Sequence, residues 1–166
     1  MRGPRDRQVG TLKRVLISGL VSSNSASRIS SILSGIPEHV VEDVKIDNVY
    51  VQNRGGGTKE MTALKPEEQE TKYPEPGQFG PMPASGFYIR HVRNLEMSNI
   101  ETATLEPDQR PAFVLSGVEE ADFFRVKGPQ VPDVPLFALE NVARFSAARC
   151  RGISDTVLDQ VDRKSL

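Results

Sequence analysis

The chain has 166 residues, room for one ordinary domain and too few for two. With 37% hydrophobic and 26% charged residues it is expected to be soluble and globular, and a formal charge of −1 argues against nucleic acid or an acidic membrane surface as a partner. A single cysteine, Cys150, excludes an internal disulfide and a cysteine-based metal site.

The opening MRGPRDRQVG is basic but carries no apolar h-region, so no signal peptide is expected here, and the compartment stays open. No apolar run approaches the ~18 residues of a membrane span. The first patterned stretch, LKRVLISGL from Leu12, is apolar at its first, fourth, sixth and ninth positions. This spacing is neither helical nor strictly alternating. It returns from Val41 (VEDVKIDNV), Val92 (VRNLEMSNI), Val118 (VEEADFFRV) and Val142 (VARFSAARC), at intervals of 29, 51, 26 and 24 residues. The chain is therefore a repeat protein with one insertion.

An alternating segment precedes most of these units: GFYIRHV at 86–92, AFVLSGV at 112–118, LFALENV at 136–142, and a looser SSILSGI at 30–36. Each unit then reads as an alternating strand, a bend, a second short strand, another bend and a loop. Such strands cannot bury their inner faces alone, so neighbours must stack. A leucine-rich repeat has a similar period but needs an asparagine where these units carry Leu20, Val49, Ile100, Val126 and Cys150, and no helical run joins the units. The expected fold is all-β, a right-handed single-stranded parallel β-helix of about five coils at a spacing of ~4.8 Å. Cys150 falls in an apolar slot and is expected to be buried and inert, although Arg149 and Arg151 flank it.

Between the second and third units the pattern stops. Residues 52–86 hold three consecutive glycines, several prolines and a charged middle, with a helical turn or two expected within 63–72. A long excursion from a regular scaffold is commonly functional. The polar tail 153–166 is expected to drape over the last coil.

The runs ISSILSGIPEHVVEDVKIDNV, GGGTKE, KYPEPGQFGPMPASGFYIRHVRNLEMSNIE and PDQRPAFVLSGVEEADF carry a resemblance. Together they look like the C-terminal part of bacterial family 28 glycoside hydrolases, the polygalacturonase- and rhamnogalacturonase-like enzymes. The resemblance implies a right-handed parallel β-helix and a plant-type polysaccharide as partner. It also implies an inverting hydrolysis run by aspartates of N-T-D and D-D motifs, with G-H-G and R-I-K motifs in support. None of the four occurs in this chain, and its two histidines, His39 and His91, lie in PEHV and IRHV. The family's catalytic residues therefore map to no position here.

Any remaining chemistry needs another pair of carboxylates, ~6.5–9.5 Å apart for inversion or ~5 Å for retention. In-register stacking aligns Lys45, Glu96 and Asp122 on the outer face, with Asp47 nearby. These three carboxylates are candidates for an acid/base pair, against the plainer reading of a solvated ladder in which Lys45 pairs with Glu96. A second candidate region is a shallow cleft of Tyr88, Arg90 and His91 with Tyr73, Glu75 and Phe79 of the loop. There Arg90 suits a sugar carboxylate and the tyrosines a sugar face. Its plain alternative is that Tyr88 and Phe79 pin the loop. No His pair has metal-ligand spacing, Arg54-Gly-Gly-Gly-Thr-Lys59 lacks a phosphate-loop frame, and no cofactor is implied. The pattern starts almost at once, at Leu12, with no coil before it to cap the stack, so either the chain is cut from something longer or the end is buried in an oligomer, and a homo-oligomer is expected. Function stands between a carbohydrate hydrolase and a non-catalytic carbohydrate-binding or structural segment.

Overall fold

A computed structural model describes residues 9–72 and 75–166. The strands are β1 (Lys13–Ser22), β2 (Ser31–Ser34), β3 (Val41–Gly55), β4 (Phe87–Glu106), β5 (Phe113–Phe124), β6 (Phe137–Ala148) and β7 (Thr156–Ser165). They form one sheet in the order β1-β3-β4-β5-β6-β7, with β2 also on β4. Every pairing is parallel except β6 with β7. The chain is thus all-β, with short 3-10 turns at Lys59–Ala63 and Pro76–Phe79. Among the described residues no helix is long and apolar enough to cross a membrane.

The register follows the repeat residue by residue. Val41, Val92, Val118 and Val142 pair across successive strands, as do Ile46, Met97, Phe123 and Ala147. In these units the first, fourth, sixth and ninth positions are buried, and together they form one continuous core. The alternating segments stack in the same way. Phe87, Phe113 and Phe137 form a column with ring centroids 5.7 and 5.2 Å apart, beside Ile89, Leu115 and Leu139. Offset aromatic stacking adds to what burial alone contributes.

The odd spacing has a backbone cause. In every unit the third residue lies in the left-handed region: Arg14, Asp43, Asn94, Glu120 and Arg144. So does the eighth: Gly19, Asn48, Asn99, Arg125 and Arg149. A single left-handed residue breaks the alternation of an extended chain, so the residue two before it and the residue just after it can both face inward. Hence apolar positions are three apart across each bend and two apart between bends.

Three features depart from the sequence reading. Strand β3 runs on to Gly55, pairing Gln52 with Ala103 and Asn53 with Thr104, so the excursion begins after Gly55 rather than at 52. Val51, Asn53 and Gly55 point inward there, a short alternation that the adjacent glycines conceal. The helical turn sits at Lys59–Ala63, ahead of 63–72, because Pro66 disfavours helical backbone in the residue before it. The tail does more than drape: β7 pairs antiparallel along β6, burying Val161 and covering that end of the core. Strand β1, at the other end, pairs only with β3 among the described residues. Its Leu16 and Val21 are 73% and 74% exposed, and Leu12, Ile17 and Leu20 are also open.

Candidate functional site

Glu96 and Asp122 are register partners on β4 and β5, so their backbones lie one sheet spacing apart, ~4.8 Å. Both side chains are exposed. Each is engaged by its neighbour along the row. The Lys45 ammonium lies 2.9 Å from the Glu96 carboxylate, and the Ser146 hydroxyl donates to Asp122. Asp47 lies on the same face but one row over, where it accepts from the Ser98 hydroxyl (2.5 Å), the Asn99 amide (3.0 Å) and the Asn48 amide. The Ser98 and Asn99 donors hold its carboxyl below the ordinary range. Glu96 and Asp122 are therefore brought together, Asp47 is kept apart, and none of the three lies in an apolar pocket.

The second expected cluster is assembled, but inward on the loop. Arg90 is 2% exposed. Its Nε donates to Ser34 Oγ (2.8 Å), Nη1 to the Pro66 carbonyl (2.8 Å), and Nη2 to the carbonyls of Glu67 (2.9 Å) and Glu68 (3.1 Å). Its guanidinium also lies 5.5 Å from the Phe79 ring centroid and 5.8 Å from that of Tyr88. Tyr88 packs with Met82 and Ala84 in a small satellite core, and burial pushes its phenol pKa upward. His91 Nε2 is 3.0 Å from Glu68 Oε1. Farther along, Lys65 reaches Glu140 at 2.7 Å, carrying the loop across the outer row Arg90, Ser116 and Glu140.

Arg90 is thus the clamp of the loop, with its fork filled by loop carbonyls rather than open to a sugar carboxylate. Phe79 and Tyr88 pin the same loop, the plainer of the two expectations. Glu75 is exposed at the entry to the turn Pro76–Phe79, and Tyr73 lies outside the described residues.

An ion pair that sequence reasoning missed anchors the other side of the excursion. Asp108 and Arg110 are both buried and meet at 2.6 Å. Asp108 also accepts the backbone N–H of Gly57 (2.9 Å) and of Arg110 (2.9 Å), while Arg110 donates to the Met82 carbonyl (3.0 Å). Burial pushes the Asp108 carboxyl up, but the donors from Arg110 and Gly57 outweigh it and leave the group below its ordinary value. A Cβ on Gly57 would sit 1.9 Å from Arg110 Nε, so the third glycine of the run is the wall against which this guanidinium lies. The available signal was Gly-Gly-Gly at 55–57 together with Asp-x-Arg at 108–110.

Cys150 is buried as expected, its thiol pushed up by burial. Among the described residues no group of three or more His, Cys, Asp or Glu side chains is placed to hold a metal ion. One depression of about 270 Å³ is lined by Gln130, Leu136, Arg151 and Gly152 with neighbouring prolines and valines, and none of the expected site residues borders it. Comparison with protein-family models, curated proteins and solved structures finds no match.

Proposed function

We propose that this chain is a right-handed parallel β-helix of polygalacturonase-like type that binds plant-type polysaccharide without cleaving it. The β-helix reading is supported by parallel pairing of successive units in exact repeat register, with left-handed corners recurring at the same two positions. The glycan reading rests on the resemblance in SGIPEH, YPEP-x-x-FGPMPASGFYIRH and RPAFVL. One observation favours binding over hydrolysis: of the candidate acid/base carboxylates Glu96 and Asp122 are exposed and Asp47 is half-buried, and all three are tied into ladders with Lys45, Ser146 and Ser98. An inverting or retaining hydrolase sets one carboxyl apart from water and donors to act as the acid, and none of these three is set apart in that way.

The test is to incubate the chain with pectic and other plant polysaccharides, following reducing ends and, in parallel, retardation in polysaccharide-containing native gels. Retardation with no new reducing ends is the expected result. Release of reducing ends that disappears in Glu96→Gln or Asp122→Asn overturns it in favour of a hydrolase.

The open strand β1 favours self-association as part of the same reading. Its apolar residues face solvent, while the opposite end is covered by β7. With one end of the stack open and the other covered among the described residues, a closed face-to-face pair fits better than head-to-tail stacking.

A further inference from the structure

The corner after β5 carries a group of side chains that neither the core nor the loop clamps use. Phe124 is the outward residue at the end of β5 and is 38% exposed, a rare exposed aromatic in a chain with seven Phe. Arg125 follows it, and Arg149 holds the same left-handed station one strand over, linked to it through the Arg125 N–H to Ala148 carbonyl bond (3.0 Å). Both guanidiniums lie over the Phe124 ring, at 5.2 and 5.8 Å from its centroid.

Most arginines among the described residues are ion-paired, whereas these two, like Arg14 and Arg151, are not. On the same scaffold Arg54, Arg90, Arg93 and Arg144 all reach glutamates. Among the described residues, the forks of Arg125 and Arg149 make no ion pair and no hydrogen bond. The carboxylates around them are committed elsewhere: Asp155 accepts the Arg149 backbone N–H (2.7 Å), Asp122 takes the Ser146 hydroxyl, and Glu120 takes Arg144. Arg151 lies two residues beyond Arg149 and lines the depression beside Gln130 and Gly152.

We infer that Phe124, Arg125 and Arg149 form an oxyanion-binding site for an acidic glycan. The ring holds both guanidiniums in place through cation–π contact, so less side-chain freedom is lost when an anion arrives. Two like charges held over one ring are relieved by a carboxylate or sulfate that accepts from both forks. The exposed remainder of Phe124 offers an apolar face to the C–H side of a sugar ring. Discrete oxyanions spaced one per sugar fit this patch better than a continuous phosphodiester backbone, which the −1 molecule and the nearby Asp122 and Asp155 disfavour. The glycan part rests on the proposed polysaccharide binding; the oxyanion part does not.

The experiment is calorimetric titration with oligogalacturonate, dextran sulfate, neutral dextran, a neutral plant polysaccharide and double-stranded DNA. It compares the unaltered chain with the double variant Arg125→Gln, Arg149→Gln, after circular dichroism confirms that the variant keeps its strands. Expected is binding of the carboxylated or the sulfated glycan, which also names the oxyanion, with none to dextran. At least tenfold weaker binding is expected in the double variant, and a falling affinity as salt rises. Equal binding by the double variant, or equal binding of charged and neutral dextran, overturns the site. Undiminished binding of the neutral plant polysaccharide by the variant, without Arg-dependent anion binding, removes this site but leaves the polysaccharide reading. Arg-dependent binding tighter to DNA than to either glycan overturns the glycan assignment while keeping the oxyanion site, and no binding at all removes both.

Discussion

The buried Asp108–Arg110 pair ties the glycine run at Gly57 and the loop at Met82 to the strand that follows. A buried ion pair is weak evidence for net stability, but removing one member leaves an uncompensated charge. Arg110→Leu is expected to destabilise the fold by about 3–5 kcal/mol, read as a lower urea midpoint. Gly57→Ala pushes a methyl into the same guanidinium and is expected to cost about 1–3 kcal/mol, although the φ of Gly57 itself is not left-handed. The pair also sets a pH dependence. The folded carboxyl of Asp108 lies below its unfolded value of about 3.9, so its contribution is present above that pH and lost as pH falls through the folded pKa. Denaturation midpoints between pH 7 and pH 2 are expected to drop less steeply in Asp108→Asn than in the unaltered chain.

At the scale of elements, the excursion between β3 and β4 is held to the scaffold by a few side chains. Arg90 supplies most of the hold, through three loop carbonyls and two aromatic rings. Arg90→Gln keeps the strand hydrogen bonds but empties this clamp. Limited proteolysis within 60–80 is expected to accelerate at least tenfold while the β-sheet circular dichroism is unchanged. Equal resistance to protease would show that Lys65, Asp108 and Arg110 suffice. The aromatic column behaves oppositely, since Phe113 is in contact with Phe87, Phe123 and Phe137. Phe113→Ala is expected to cost about 3–5 kcal/mol and to weaken every rung together, seen as a single cooperative transition at lower temperature.

For the whole molecule the decisive feature is the unequal treatment of the two ends. Strand β7 runs antiparallel along β6, while β1 presents Leu16 and Val21 to solvent, beside the exposed Leu12. Among the described residues β1 has no partner on its outer side, and an apolar edge strand is a template for further pairing. Multi-angle light scattering is expected to show a dimer and no ladder of larger species. Leu16→Glu with Val21→Lys is expected to shift it to monomer. A monomer at all concentrations removes the proposal of a paired edge.

The amino-acid sequence by itself determined the repeat, its register and its inner face. Apolar residues at the first, fourth, sixth and ninth positions can be buried together only when units stack in phase, so Val41, Val92, Val118 and Val142 had to align. It also contained the Lys45–Glu96 rung, because register alone places those two side by side. Which residues take the left-handed corners was only half legible: Asn48, Asn99 and Gly19 suit that backbone, whereas Arg125, Glu120 and Arg144 adopt it because the stack imposes it. Tertiary structure alone decided what each polar side chain faces. Arg90 looked like a sugar-binding guanidinium until loop carbonyls filled its fork. The Gly-Gly-Gly run was silent until Arg110, more than fifty positions away, lay against it. Phe124, Arg125 and Arg149 share no sequence motif and meet only because two corners stack. Periodicity reports burial, which repeats along the chain; the direction of a charged side chain depends on distant partners, and no local pattern encodes those.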